Sequence, residues 1–290
     1  MDAVFFDSVV KTFGRVVAVD GVTLSVPEGA AVALVGPNGA GKTTLLKLAA
    51  GVLAPDRGEV YIYGTPARRP QSKRRVGLTT PMDRGIYWRL NAVDNLLFFG
   101  ALYGLSLSEA KRRALELLDE LGLRDRAYDL VAGYSTGMMR RLELARALIH
   151  DPDVLLLDEP TSGMDVDAKR AVLEYLKRLK GEKTLIVASH DPQEIALADS
   201  VVYINKRVLA EAPSLKVVKL LVRGEPPRDG AVVEKIGDDE YVVTLDVRQL
   251  GEYVARLNGA KIVDVEVEVA VAERNARRAE RVARRDHGPL

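Results

Sequence analysis

Residues 36–43 read Gly-Pro-Asn-Gly-Ala-Gly-Lys-Thr, set between a short, wholly apolar run at 30–35 and a segment of helical periodicity at 42–50. That context turns a glycine-rich turn into a strong constraint, because strand, turn and helix together make an anion cradle. The glycines let successive amide hydrogens point inward, and the helix presents its positive end to the same charge. Phosphate fits this arrangement. Lys42 can reach the β and γ phosphates of a nucleotide, and the Thr43 hydroxyl can ligate magnesium. Gly36, Asn38, Gly39, Ala40, Gly41, Lys42, Thr43 and Thr44 are therefore candidate nucleotide contacts.

A second chemical element lies far along the chain. Residues 154–157 are Val-Leu-Leu-Leu, followed by Asp158 and Glu159. A fully apolar strand is expected to be buried on both faces of a parallel sheet, and acids at its carboxyl end fall in the crevice where open α/β sheets bind ligands. Asp158 is thus the candidate magnesium residue, acting through water, and Glu159 the candidate that orients or deprotonates an attacking water. Strands are also expected at 4–10, 22–26, 184–188 and 201–204, with Gly14 and Gly21 punctuating the first two. Helical patterns cover 91–123, a stretch starting near Met138, and 168–180; Ser106 or Ser108 serves as a cap and Gly122 as a stop. Strands alternating with helices argue a mostly parallel sheet covered on both sides.

The texture changes after about residue 205. Short strands are expected at 216–222, 231–236, 241–247 and 262–271, with a helix at 248–257, which reads as a small α+β domain. Residues 273–285 are charged and helix-prone, with Arg274, Arg278, Arg281 and Arg285 near one face. Either a solvated, ion-paired helix or a basic contact surface accounts for them. A net charge of +1 gives no global attraction to nucleic acid or anionic lipid. The absence of cysteine excludes thiolate-held zinc or iron–sulfur clusters and fits a reducing compartment. No run of about eighteen apolar residues occurs without a charge, so no spanning helix is expected, and the first ten residues lack a basic, apolar leader.

Four more segments narrow the class. Tyr134-Ser135-Thr136-Gly137-Met138 opens a helix upstream of the Asp158 strand, Ser162-Gly163-Met164-Asp165 follows Glu159, and Ser189-His190 ends a strand about thirty residues later. This order, over roughly residues 3–212, resembles the ATP-binding cassette family. The resemblance implies an α/β fold: a P-loop NTPase cassette with a mostly parallel central sheet, an antiparallel N-terminal β subdomain and a helical subdomain, plus the small C-terminal α+β domain. The expected division is 1–210 for the ATPase domain, with its helical subdomain at about 82–150, then 211–272 and a tail at 273–290. It further implies ATP and Mg2+ as cofactors and hydrolysis using Lys42, Glu159 and His190. Two cassettes, identical or related, would close head to tail on ATP, with Ser135, Thr136 and Gly137 completing the opposite site. Asp165 would pass state between the sites, and Phe13 would stack on adenine.

Two departures from the family pattern stand out. Thr136 and Met138 replace a glycine and a glutamine of the signature, a form resembling exporter-type cassettes for drugs or polysaccharides. After residues 75–80, Pro81 stands at or beside the place of a magnesium-reaching glutamine; Asp83 is the nearest possible substitute ligand, or else a solvated loop acid. Next come Tyr87 and Trp88, where the family receives a helix from the membrane-spanning subunit. An exposed interface anchor and a buried core tryptophan are both open readings there. The expected function is the ATP-hydrolysing subunit of a transporter, an exporter, at the cytoplasmic face of the membrane, with no nucleic-acid partner. The alternative is a soluble cassette ATPase acting on ribosomes, nucleic acid or cofactor assembly.

Overall fold

The computed structural model describes residues 1–80, 85–213, 215–228, 231–246, 253, 256–257 and 261–270. The chain divides into two units, Met1–Glu211 and Ala212–Leu290. Pro81, Asp83, most of the helix expected at 248–257 and the arginine-bearing tail lie outside the described residues.

The first unit carries two sheets. In one, β1 (Asp2–Phe13) pairs antiparallel with β2 (Val16–Pro27) and with β4 (Arg57–Ile62), which β5 (Thr65–Pro66) extends. Alternate residues Phe6 on β1 and Val22, Leu24 and Val26 on β2 are buried, the period of a sheet with one face on the core. Gly21 was expected to punctuate the strands, yet β2 runs through it. The register steps from Val9↔Val22 to Lys11↔Val19, so β2 carries one residue more than β1, and Gly21 at φ 64° takes up the bulge.

The central sheet comprises β3 (Ala31–Val35), β6 (Val76–Thr79), β7 (Val154–Asp158), β8 (Thr184–Ala188), β9 (Ser200–Asn205) and β10 (Arg207–Pro213), in the order β10-β9-β3-β8-β7-β6. The β3–β8, β3–β9, β7–β8 and β6–β7 pairs are parallel. Every residue of β7 and β8 is buried. Val154 and Leu156 join one core with Leu45, Leu46 and Leu48 of α1 (Lys42–Ala49); Leu155 and Leu157 join another with Val172 and Leu176 of α6 (Val166–Leu179). Burial on both faces is thus what the unbroken apolar run encodes.

Between β6 and β7 lies the helical part. The helical pattern at 91–123, with a cap expected at Ser106 or Ser108, is two helices, α3 (Ala92–Leu102) and α4 (Leu107–Glu120), and Gly104 turns the chain between them at φ 91°. Asn91 caps α3 by accepting from Asp94 N, and Ser106 caps α4 by accepting from Glu109 N. Then α5 (Thr136–Leu148) returns to the sheet, and Leu96, Leu118 and Leu142 share the core of Leu155 and Leu157. α2 (Pro70–Lys73) is a single turn before β6. The end of α1 and parts of α2, β6, α3 and α5 wall a cleft of about 440 Å3, bordered by Val52, Lys73, Phe99, Leu102, Tyr103 and His150.

In the second unit, β11 (Leu215–Arg223), β12 (Val232–Lys235), β13 (Glu240–Asp246) and β14 (Lys261–Ala270) form an antiparallel sheet in the order β12-β13-β11-β14. Val222, Val243 and Tyr253 make its small core, and the Tyr253 hydroxyl donates to Pro227 O.

Two results test this packing. A Cβ on Gly77 would lie 2.2 Å from Ala147 O, so Gly77→Ala must push α5 off β6; it should cost about 2 kcal/mol, a fall in Tm on the order of 4–8 °C in a thermal scan. His150 stacks on Tyr103 at 3.6 Å between centroids and donates Nε2–H to Val76 O at 3.1 Å; burial pulls its pKa from 6.5 to about 4. The unfolded chain binds the extra proton in that window, so stability falls as pH drops from 6.5 to 4. The loss should be roughly 2–3 kcal/mol relative to His150→Phe, read from urea unfolding at each pH.

Candidate active site

The turn between β3 and α1 is closed by backbone contacts that only glycine admits. A Cβ on Gly36 would lie 2.0 Å from Ile204 O, and one on Gly41, at φ 99°, 2.4 Å from Ala18 O. No side chain caps α1, whose first residue follows Gly41, so its leading amides are left for a ligand. Ala40 is buried and donates its N–H to Pro37 O, while Asn38 and Gly39 are exposed at the tip; Thr44 is half-buried. Lys42 folds back over the turn and donates Nζ to the carbonyls of Gly36 at 2.6 Å and Pro37 at 3.1 Å. Burial lowers its pKa, and Glu159 and Asp158 pull it back up.

Thr43 Oγ1 donates to Asp158 Oδ2 at 2.7 Å, joining the start of α1 to the end of β7. Asp158 is 5% exposed, and burial pushes its pKa up while the Thr43 hydroxyl opposes the shift. The hydroxyl and the carboxylate are hard oxygen donors of the kind magnesium takes. Next in sequence, Glu159 holds φ 47°, a left-handed conformation that a glutamate adopts only when its surroundings fix it. Its N–H donates to Ala188 O at 2.9 Å, and Oε1 lies 3.0 Å from Nδ1 of the exposed His190. Lys42, Thr43, Asp158, Glu159 and His190 therefore meet at the carboxyl ends of β3, β7 and β8.

The other sequence candidates lie outside that cluster. Ser135 caps α5 by accepting from Met138 N at 3.3 Å; Ser135 and Thr136 are exposed and Gly137 is buried. Among the described residues no hydrogen bond joins them to the phosphate turn. Asp165 caps α6 by accepting from Ala168 N at 2.8 Å. Phe13 ends β1 with 48% exposure and Lys11 Nζ 5.6 Å from its ring centre, a ring face open to a planar partner. Trp88 is 65% exposed and Tyr87 48%, so the buried reading of that tryptophan does not hold. The buried Asn95 fixes the segment, accepting from Tyr87 N at 2.7 Å and donating to Tyr87 O at 3.0 Å.

Two buried polar groups near the acids were not read from the sequence. Arg140 of α5 donates to Glu143 at 2.8 Å, and both border a small cavity with Asp158 and Glu159. Glu194, on α7 (Pro192–Ile195), is 1% exposed and bonded to Thr161. Arg140 and Glu143 stand at i, i+3 on α5, a spacing that suggests their pairing but not its place beside the acids, whereas Glu194 meets Thr161 across 33 residues, which no local spacing reveals.

Comparison with known proteins places the site in context. Residues 19–162 match the family model described as ABC transporter. Over 192 residues the chain is 41% identical to the ABC transporter ATP-binding protein NatA of Bacillus subtilis, covering 65% of this chain and 78% of that protein. It is 36% identical over 192 residues to the linearmycin resistance ATP-binding protein LnrL of Bacillus subtilis, and 39% over 195 residues to the Nod factor export ATP-binding protein I of Paraburkholderia xenovorans. The matches cover 65% and 66% of this chain, and 61% and 64% of those two relatives, less than two thirds of their length. Among solved structures, the dimeric post-hydrolysis state of the cassette MJ0796 bound to ADP and Pi is 27% identical with a TM-score of 0.67, covering 72% of this chain and 98% of that one.

If the turn is the phosphate cradle, Gly41→Ala, strained at its φ and forced against Ala18 O, should weaken ATP binding by at least about tenfold in a fluorescent-nucleotide titration. An affinity within twofold of the parent would contradict the assignment.

Proposed function

Because this chain belongs to the ABC transporter family of ATP-binding cassette ATPases, we propose that it hydrolyses ATP to drive export through a separate membrane-spanning partner, working as a nucleotide-closed dimer. The observation that carries this reading is the Thr43–Asp158 bond, which sets a phosphate-cradling helix against Glu159 and its 3.0 Å contact to His190.

On ATP binding, Lys42 turns from the carbonyls of Gly36 and Pro37 to the β and γ phosphates. Gly36, Asn38, Gly39, Ala40, Gly41 and Thr44 frame the phosphates and Phe13 stacks on the base. Thr43 and, through water, Asp158 would hold Mg2+, which when bound neutralises charge on the phosphate oxygens. Glu159 holds the attacking water and accepts its proton, while His190, anchored by Nδ1, presents its other face to the γ phosphate. Ser135 and the amides of Thr136 and Gly137 reach the γ phosphate of a second chain, and Asp165 lies at that junction. The dimeric form of the similar cassette MJ0796, with ADP and Pi, supports this assembly.

The membrane partner is proposed to seat a short helix in the cleft bordered by Phe99, Leu102 and Tyr103, beside exposed Tyr87 and Trp88. Tyr87 packs edge-on against Phe98 at 5.0 Å, and Phe98 against Phe99 at 5.3 Å, so the aromatic surface runs on from the cleft. Among the described residues no helix is long and apolar enough to cross a membrane, in keeping with a peripheral subunit on the cytoplasmic face. Resistance and export in the names of two relatives support export as the direction. The second unit is taken as an accessory domain of the transporter.

Glu159→Gln should retain ATP binding, lower phosphate release by at least about 100-fold and hold a dimer on size exclusion with Mg-ATP. Phosphate release equal to that of the parent would overturn the role given to Glu159.

A further inference from the structure

The carboxylate of Glu194 sits where no solvated surface glutamate would. It is 1% exposed, and its Oε1 accepts from both Thr161 N at 2.8 Å and Thr161 Oγ1 at 2.5 Å across 33 residues of sequence. Thr161 is itself buried, so these donors have no water to turn to. Glu194 is not needed to start its own short helix: Asp191 caps α7 by accepting from Gln193 N and Glu194 N. What Glu194 does join is the loop leaving β7, residues 159–165, to the loop leaving β8, residues 189–191.

One further contact joins the same two loops, Glu159 to His190; beside it Lys169 of α6 pairs with Asp191, and within the second loop Ser189 Oγ accepts from Asp191 N at 2.9 Å. Together they enclose a cavity of about 270 Å3 bordered by Glu159, Lys169, Ser189, His190 and Glu194. Burial raises the pKa of Glu194, and its hydrogen bonds, those from Thr161 among them, oppose the shift.

The far end of the first loop touches α5. A Cβ built on Gly163 would lie 3.1 Å from Thr136 Cγ2, and one on Gly137 would meet Met164 Cγ at 3.8 Å. Thr136 is the residue that replaces a glycine of the family pattern, so its methyl group adds a contact that glycine would lack. A continuous path then runs from His190 and Glu159 through Glu194 and Thr161 to Gly163, and on to Thr136 and Gly137.

We propose that Glu194 is a positioning residue: by gripping Thr161 it makes the two loops one moving part, so that a shift of His190 at one nucleotide is delivered through Gly163 and Thr136 to the signature residues the same chain presents to the other. This rests on the ATPase dimer proposed above. Glu194 touches neither nucleotide nor water in this scheme and acts through the placement of Glu159 and His190.

The test is steady-state phosphate release and fluorescent-nucleotide binding on the purified full chain. Glu194→Ala should lower kcat at least about tenfold while KM for ATP and nucleotide affinity stay within threefold, since misplacing a catalytic group by an ångström costs rate and not binding. Glu194→Gln, which keeps an Oε1 acceptor for both Thr161 donors, should restore kcat to within threefold. Thr136→Ser, which removes only the methyl, should lower kcat alone but add nothing to Glu194→Ala, as residues on one path do not act additively. Should Glu194→Ala not fold, Thr161→Val, which deletes one of the two donors, carries the same expectation of lowered kcat at constant KM. Glu194→Ala turning over like the parent, Glu194→Gln as impaired as Glu194→Ala, or multiplicative effects with Thr136→Ser would each overturn the proposal. A parent with no ATP turnover would instead sink the ATPase reading beneath it.

Discussion

The hydrogen bond from Thr43 to Asp158 matters because neither end of it depends on a ligand for its place. Asp158 is the last residue of β7, whose side chains lock alternately into two cores, and Thr43 opens a helix whose leucines fill one of them. A bond of 2.7 Å between such fixed points holds the two oxygens in register, as the proposed magnesium site requires. Pre-organisation of this kind lowers the reorganisation a site must undergo when charge develops. Substitutions that loosen β7 at its buried face would therefore reach the chemistry without touching a polar atom.

Much of this was legible in the sequence wherever one local rule decided the outcome. The glycine turn between strand and helix, the apolar run that ends in two acids, and the serine cap at Ser106 all involve residues within a few positions of one another. What escaped was set by partners far along the chain. β10 looks like the start of a new texture because its residues alternate weakly, yet it is hydrogen-bonded to β9 at the sheet's edge. The bulge at Gly21 looks like a turn because glycine serves both. Trp88 was undecided because an exposed and a buried tryptophan look identical in sequence; Asn95, bonding both backbone groups of Tyr87, sets the outcome.

Backbone strain is unevenly distributed. Among the described residues five non-glycine residues hold positive φ: Ser8, Tyr63, Asp151, Glu159 and Lys206. Of these only Glu159 belongs to the candidate site. Its conformation carries a cost of order 1–3 kcal/mol, offset by its N–H bond to Ala188 O and the contact to His190. The consequence is geometric. A relaxed extended residue would project its carboxylate to one face of the sheet, whereas the left-handed turn leaves it against the histidine loop of β8. His150 makes the complementary case: half-buried, stacked on Tyr103 and with its pKa lowered to about 4 by burial, it packs the cleft wall.

Ser135 explains how a departure in the signature can be tolerated. A hydroxyl has one hydrogen to give and two lone pairs to receive with. As the cap of α5, Ser135 uses a lone pair for Met138 N, which leaves its hydrogen free for a phosphate oxygen. The amide that meets this cap belongs to the backbone of residue 138, so methionine in place of glutamine leaves the bond intact. Exposed Ser135 and Thr136 stand at the positive end of a thirteen-residue helix whose other face is sunk in the same core as β7. A rigid helix anchored in that core carries its serine wherever the core goes, so in the proposed dimer a phosphate of the other chain captured at its tip would be felt at the β7 end of the helix's own chain, without a flexible intermediary.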